Sequence, residues 1–169
     1  LYAWERLVRR YQEPVYRVAW LILRDSEMAE KATRSTLVRA FRALPEMEDD
    51  VGLLPWLIRI AAGEARQQKR ESGRPTNSDR PVERQAGPHL PATVIPGLAG
   101  AYELTPLERQ ALTEAFDRLG EEDRLVIAAR YLFGLSRVDA ANALSIATGV
   151  VDEQLSGAVT RLRSRMSLA

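Results

Sequence analysis

Apolar and polar positions over residues 1–44 recur with the 3.6-residue period of an amphipathic helix, not the two-residue period of a strand. Trp4, Leu7, Val8 and Tyr11, then Val15, Val18, Ala19 and Ile22, fall on one face. Pro14 interrupts this stripe. With no N–H and a fixed φ it predicts a break, a kink, or a second helix opened at its first turn. Asp25 or Ser26 suits the N-cap of the next helix, and Glu27 and Glu30 follow near its positive end. The stripe of that helix is Ala29, Ala32, Thr36, Leu37, Ala40, Phe41 and Leu44, and Pro45 stops it. After the acidic loop EMEDD (46–50), Pro55 opens a helix that buries Trp56, Leu57, Ile60 and Ala61.

The pattern fails over residues 72–102. Pro75, Pro81, Pro88, Pro91 and Pro96, with Gly73, Gly87, Gly97 and Gly100, predict a linker. Helical spacing resumes after Thr105-Pro106-Leu107-Glu108, a capping box with proline at the first helical position. Leu107, Ala111, Leu112, Ala115 and Phe116 form the expected buried stripe. Residues 119–163 then read as helix, short helix, tight turn, helix. Gly134 ends the first of these, Ser136 caps the second, and Asp139 sits in its first turn. Ala140, Ala141 and Leu144 give the short helix an apolar face, Ser145-Ile146-Ala147 connects, and Thr148 begins the last helix. Two helices joined this way can lay the second in a DNA major groove. Phe41, Trp56, Leu57, Phe116, Leu125 and Leu144 are expected to be core and nothing more. The predicted fold is all-α: two small helical domains, 1–71 and 103–169, joined by a Pro/Gly-rich linker, 72–102, the second domain a helix-turn-helix.

Composition narrows the chemistry. The 169 residues are 46% hydrophobic and 28% charged, ordinary globular proportions. There is no cysteine, and His89, the one histidine, lies in the proline-rich stretch. Disulfides, thiolate chemistry and a His-based metal site are therefore not expected, nor is any cofactor. No nucleophile motif and no phosphate-cradling glycine loop appears, so an enzyme is not expected. No apolar run approaches the ~20 residues of a membrane span, and no signal peptide is visible. The chain begins on Leu1 rather than Met, so further sequence upstream is expected. Net charge is only +1, a weak footprint for nucleic acid. Its cations are nearly all arginine, which suits bidentate contacts to phosphate and guanine, although a GC-rich genome produces the same bias. Arg59, Arg66 and Arg70 share a helix face, and with Lys69 they equally answer the C-terminal dipole of their own helix.

Two helical domains on a proline-rich tether, the second a helix-turn-helix, resemble bacterial RNA polymerase sigma factors of the extracytoplasmic-function type. The matching words are YQEPVYRVAWLIL, DSEMAEKATRSTLVRAFRAL and PWLIRIAA in the first domain. In the second they are ARYLFGLS, DAANALSI, then Gly149, Val151, Leu155, Leu162 and Arg163. The resemblance covers residues 1–71 and 104–168, and the order and spacing of the words carry it. It implies a cytoplasmic protein whose partners are core RNA polymerase, promoter DNA and an anti-sigma factor. It places polymerase contacts on Glu27, Glu30, Lys31 and Arg34. The downstream promoter element falls to Arg59, Arg66, Lys69 and Arg70, and the upstream element to Thr148, Gln154, Arg161 and Arg163.

The sequence also departs from that family. Lys31, Arg34 and Ser35 stand where an acidic residue, glutamine and a carboxylate are usual, and Gly63 stands in place of asparagine. Asp152 and Glu153 open the recognition helix where lysine and a small polar residue are usual. Residues 103–169 hold eight Arg against ten acids, a net of −2. These departures define a second expectation: a sigma-like interaction protein that has kept the fold, lost promoter recognition, and binds a protein partner.

Overall fold

The computed structural model describes residues 2–47, 52–73 and 105–166. The linker expected over 72–102 therefore lies outside the described residues except for Ser72 and Gly73, and so does most of the EMEDD loop. The chain divides into two compact units, Leu1–Gly87 and Pro88–Ala169. Among the described residues there are seven α-helices and no strand.

In the first unit, α1 (Tyr2–Leu23), α2 (Ser26–Ala43) and α3 (Leu53–Ser72) each pack on the other two. Val15, Val18, Ala19, Leu21 and Ile22 of α1 meet Leu57, Ile58, Ala61 and Ala65 of α3, all essentially without solvent exposure. α2 contributes small residues, Ala29, Ala32, Thr36 and Ala40. Their size lets its backbone come close, and the Thr36 hydroxyl is satisfied by donating to the Ala32 carbonyl at 2.7 Å. Fully burying each large aliphatic side chain is worth about 1.5–3 kcal/mol, and this offsets the conformational entropy lost in ordering the chain.

Three sequence expectations are corrected here. Of the three outcomes expected at Pro14, the break and the new helix are excluded, because α1 runs through it. The buried residues from Val15 to Ile22 hold the helix together across the one backbone hydrogen bond that proline cannot make. Phe41, expected in the core, is 56% exposed. It lies 100° around the helix from Ala40, which takes the core position, and rests edge-on against Trp4 with ring centroids 4.9 Å apart. Leu107 is 77% exposed, because it sits in the first turn of its helix, before the buried face begins at Ala115.

α1 ends at Arg24, whose φ of 56° is left-handed. Its N–H donates to the Trp20 carbonyl at 2.9 Å. Its guanidinium lies 4.0 Å over the Trp20 ring, a cation–π contact. Asp25 caps α2, accepting from the Met28 N–H at 2.8 Å.

The second unit comprises α4 (Pro106–Asp117), α5 (Glu121–Ile127), α6 (Arg137–Leu144) and α7 (Thr148–Met166), and α7 touches the other three. Thr105 and Glu108 form the capping box that starts α4. α5 continues into a wider turn, Ala128–Leu132, which periodicity does not reveal. There the Phe133 N–H reaches back five residues to the Ala128 carbonyl, at 2.8 Å. Gly134, with φ +61°, ends that turn at a conformation glycine adopts without penalty. Ser136 caps α6 by accepting from the Asp139 N–H at 3.0 Å. Ser145, left-handed at φ 58°, closes α6 before α7 begins. α6 buries Ala140, Ala141 and Ala143, and α7, which packs on it, buries Val151, Ala158 and Leu162, so the helix-turn-helix presents mostly small residues to its core.

Candidate nucleic-acid interface

On α3 the buried residues Leu57, Ala61, Ala65 and Gln68 define one side. Arg59, Gly63, Arg66 and Arg70 follow at offsets of four, three and four, so they form a stripe on the opposite side. Arg59 and Arg70 are exposed and Arg66 is half-buried. Lys69 is exposed but lies roughly a quarter-turn off this line. Gly63 interrupts the cations at their middle. A Cβ built there meets nothing within 4 Å, so no packing requires glycine. Beside the stripe, Arg39 of α2 donates to Glu64 at 2.7 Å and ties the two helices together.

α7 separates the four residues expected to read the upstream element. Thr148, Asp152, Ser156 and Arg163 follow at offsets of four, four and seven along one exposed face. Gln154 and Arg161 lie on another flank, toward α5. There Arg161 makes a two-pronged ion pair with Asp123 of α5, both contacts at 2.6 Å. The Asp123 hydrogen bond raises the Arg161 pKa further above its ordinary value. Arg161 thus spends its guanidinium fork holding α7 on α5.

Asp152 is engaged by Arg137, the first residue of α6, at 2.8 Å, with both side chains 57% exposed. The sequence marks Asp152 as an unfavourable acid and does not show its partner. The two are 15 residues apart, and only the tight turn at Ser145–Ala147 brings the start of α6 beside the first turns of α7. The available signal is a pair of opposite charges on consecutive short helices.

The third surface is the solvent face of α2. Glu27, Glu30, Lys31 and Arg34 are all exposed there, and the same face continues through Val38, 52% exposed, Phe41 and Arg42. The structure brings all four residues expected at a polymerase contact onto one stripe. Among the described residues no group of His, Cys, Asp or Glu is arranged to hold a metal ion, and no helix is long and apolar enough to cross a membrane.

Residues 7–74 match the Sigma-70 region 2 family. Over both units the chain is similar to SigM of Mycobacterium tuberculosis, an ECF RNA polymerase sigma factor. The two are 27% identical over 166 residues, covering 95% of this chain and 76% of that one. The first unit thus carries a match to Sigma-70 region 2, and the chain as a whole is similar to sigma factors of the extracytoplasmic-function type. The RNA polymerase sigma-H factor of Pseudomonas aeruginosa is 25% identical to this chain over 162 residues, covering 90% of this chain and 80% of that one. The fold matches that of the sigma factor RpoE of Bartonella quintana, solved in complex with the anti-sigma factor NepR. The TM-score is 0.70 at 20% identity, over 99% of this chain and 98% of that one. CnrH, solved in complex with the cytosolic domain of CnrY, matches with a TM-score of 0.66 at 20% identity, over 98% and 88%.

Proposed function

We propose that this protein is a promoter-specificity subunit. It binds bacterial core RNA polymerase in the cytoplasm, directs initiation at particular promoters, and is restrained by an anti-sigma factor. The observation that carries this reading is the similarity to a named sigma factor along 95% of the chain, since it spans both units and not the helix-turn-helix alone. The geometry supports it. The α2 stripe at Glu27, Glu30, Lys31 and Arg34 would dock on polymerase. The α3 stripe at Arg59, Arg66 and Arg70, with Lys69 beside it, would meet phosphate around the downstream element. Thr148 and Arg163 stand on the exposed face of α7 for the upstream element, and Gln154 and Arg161 flank it. The linker, 72–102, would span the distance between the two elements. The anti-sigma partner is supported by the fold shared with RpoE, which was solved in complex with the anti-sigma factor NepR.

A second reading, a sigma-like protein that binds a protein partner without reading promoters, is favoured by one observation. The α2 face exposes Lys31, Arg34 and Arg42 around Val38 and Phe41. Co-sedimentation of the full chain with purified bacterial core polymerase separates the two. Co-sedimentation that is abolished in a Lys31→Glu/Arg34→Glu variant supports docking through α2 as it stands. Absence of any association at low salt favours the second reading.

A further inference from the structure

The acid at the start of the recognition helix looks like a defect for a DNA reader, because carboxylates and phosphates repel. The contact between Arg137 and Asp152 changes that. One Asp152 oxygen, Oδ2, accepts from Arg137 Nη1 at 2.8 Å, and the pair is locally neutral. The other oxygen is left to accept elsewhere. Arg137 commits one N–H of the five a guanidinium carries. Both side chains are more than half exposed. Asp152 shares its exposed face with Thr148 and Ser156, so on the proposed reading it stands with the residues that would face the groove and not with the flank that holds Arg161. Arg137 is the first residue of α6, the helix that crosses the DNA backbone when the second helix of such a motif enters the major groove.

We propose that Asp152 is a base-reading residue that selects cytosine in the upstream element, with Arg137 as its positioning residue. The assignment rests on the promoter-reading function proposed above. The chemistry selects one base of the four. In the major groove guanine offers two acceptors, and thymine an acceptor beside a methyl group; neither suits a carboxylate. Adenine sets its N7 acceptor next to its amine. Cytosine presents the N4 amine alone, so a carboxylate oxygen accepts from it without a neighbouring repulsion. Arg137 fixes the carboxylate through Oδ2, cancels its charge, and keeps donors for a phosphate of the adjoining backbone.

The test is binding-site selection by the full chain assembled with bacterial core polymerase, on duplexes randomised across the upstream element. The assembly is compared with Asp152→Ala, Asp152→Asn and Arg137→Ala assemblies. All three changes are at exposed positions, and matched circular dichroism and melting confirm a folded chain. The expected wild-type profile has one position where cytosine is preferred by about 5- to 100-fold. Asp152→Ala flattens that position and no other. Asp152→Asn moves its preference to adenine, whose N6 and N7 suit an amide. Arg137→Ala weakens that preference and also lowers the dependence of log K on log salt by about one. An Asp152→Ala profile identical to wild type, or tighter binding to every sequence alike, overturns the assignment and reduces Asp152 to a repulsive charge. If the wild-type assembly selects no upstream sequence, promoter reading fails and the assignment falls with it. If it selects one and Asp152→Ala leaves the profile intact, the assignment alone falls.

Discussion

At the residue scale, two glycines and one arginine show how local context decides energy. Gly63 sits inside α3 with open space around an added Cβ. Gly63→Ala is therefore expected to stabilise the chain by about 1 kcal/mol, the helix-interior cost of glycine, read as a higher urea midpoint at unchanged slope. Gly157 is also helical, but a Cβ there comes within 3.2 Å of the Arg161 guanidinium that grips Asp123. Gly157→Ala is expected to gain clearly less than Gly63→Ala, because the side chain has to shift its ion pair. Equal gains would show that the grip is incidental. Arg24 holds a left-handed φ that glycine tolerates freely and other L-residues adopt at a cost of roughly 1 kcal/mol. Arg24→Gly is expected to exceed Arg24→Ala in stability by about that amount. These side-chain facts are only partly legible in the sequence. The glycine at position 63 is visible there; that nothing packs over it follows from how the three helices meet, and that Arg24 stacks on Trp20 follows from the left-handed end of α1.

At the scale of elements, caps are the most legible feature, because a cap is written in four consecutive residues. Thr105 with Glu108, Ser136 and Gly134 each act where the sequence places them, and of the two candidates Asp25 and Ser26 it is Asp25 that caps α2. The Glu108 carboxyl is held below its ordinary value, first by the Thr105 backbone N–H and then by the Thr105 hydroxyl. A lowered native pKa contributes stability that is present above the unfolded value. That contribution disappears as pH falls through the lowered one. Glu108→Gln is therefore expected to lower the melting temperature at pH 7, with the difference from wild type shrinking as pH falls below 4.5. A constant difference would contradict a charged capping box. Less legible are features that depend on a neighbour. The wide turn at Ala128–Leu132 has helical residues throughout, so periodicity cannot distinguish it from α-helix. The outward turn of Phe41 depends on Ala40 taking the core position, and an apolar count treats both alike. The unbroken run of α1 through Pro14 depends on the burial of Val15 to Ile22, a tertiary effect that outweighs a local propensity.

At the scale of the whole molecule, charge is divided unevenly along the chain. Residues 103–169 carry eight Arg and ten acids, which leaves 16 cations and 13 acids in residues 1–102. By charge, the first unit is the stronger candidate for phosphate contact and the second contributes discrimination more than affinity. Substituting Arg59, Arg66 and Arg70 together by alanine is expected to reduce the salt dependence of DNA binding by roughly two to three units, about 0.7–0.9 for each phosphate that is no longer neutralised. No change in slope would remove the α3 stripe from the interface. The resemblance to sigma factors is legible from the order of short words over both units, and the similarity to SigM over 95% of the chain agrees with it. Which α7 residues face outward is not legible, because helix spacing alone does not say that Arg161 is taken by Asp123.

Promoter selection is decided by reconstituted transcription. Bacterial core polymerase is supplied with the purified full chain and a fragment library of genomic DNA, and the transcript start sites are sequenced. A sigma factor yields starts at a small set of sites sharing an upstream and a downstream element, all dependent on the added chain. Core polymerase that starts at the same scattered sites with and without the chain would show that it selects no promoter.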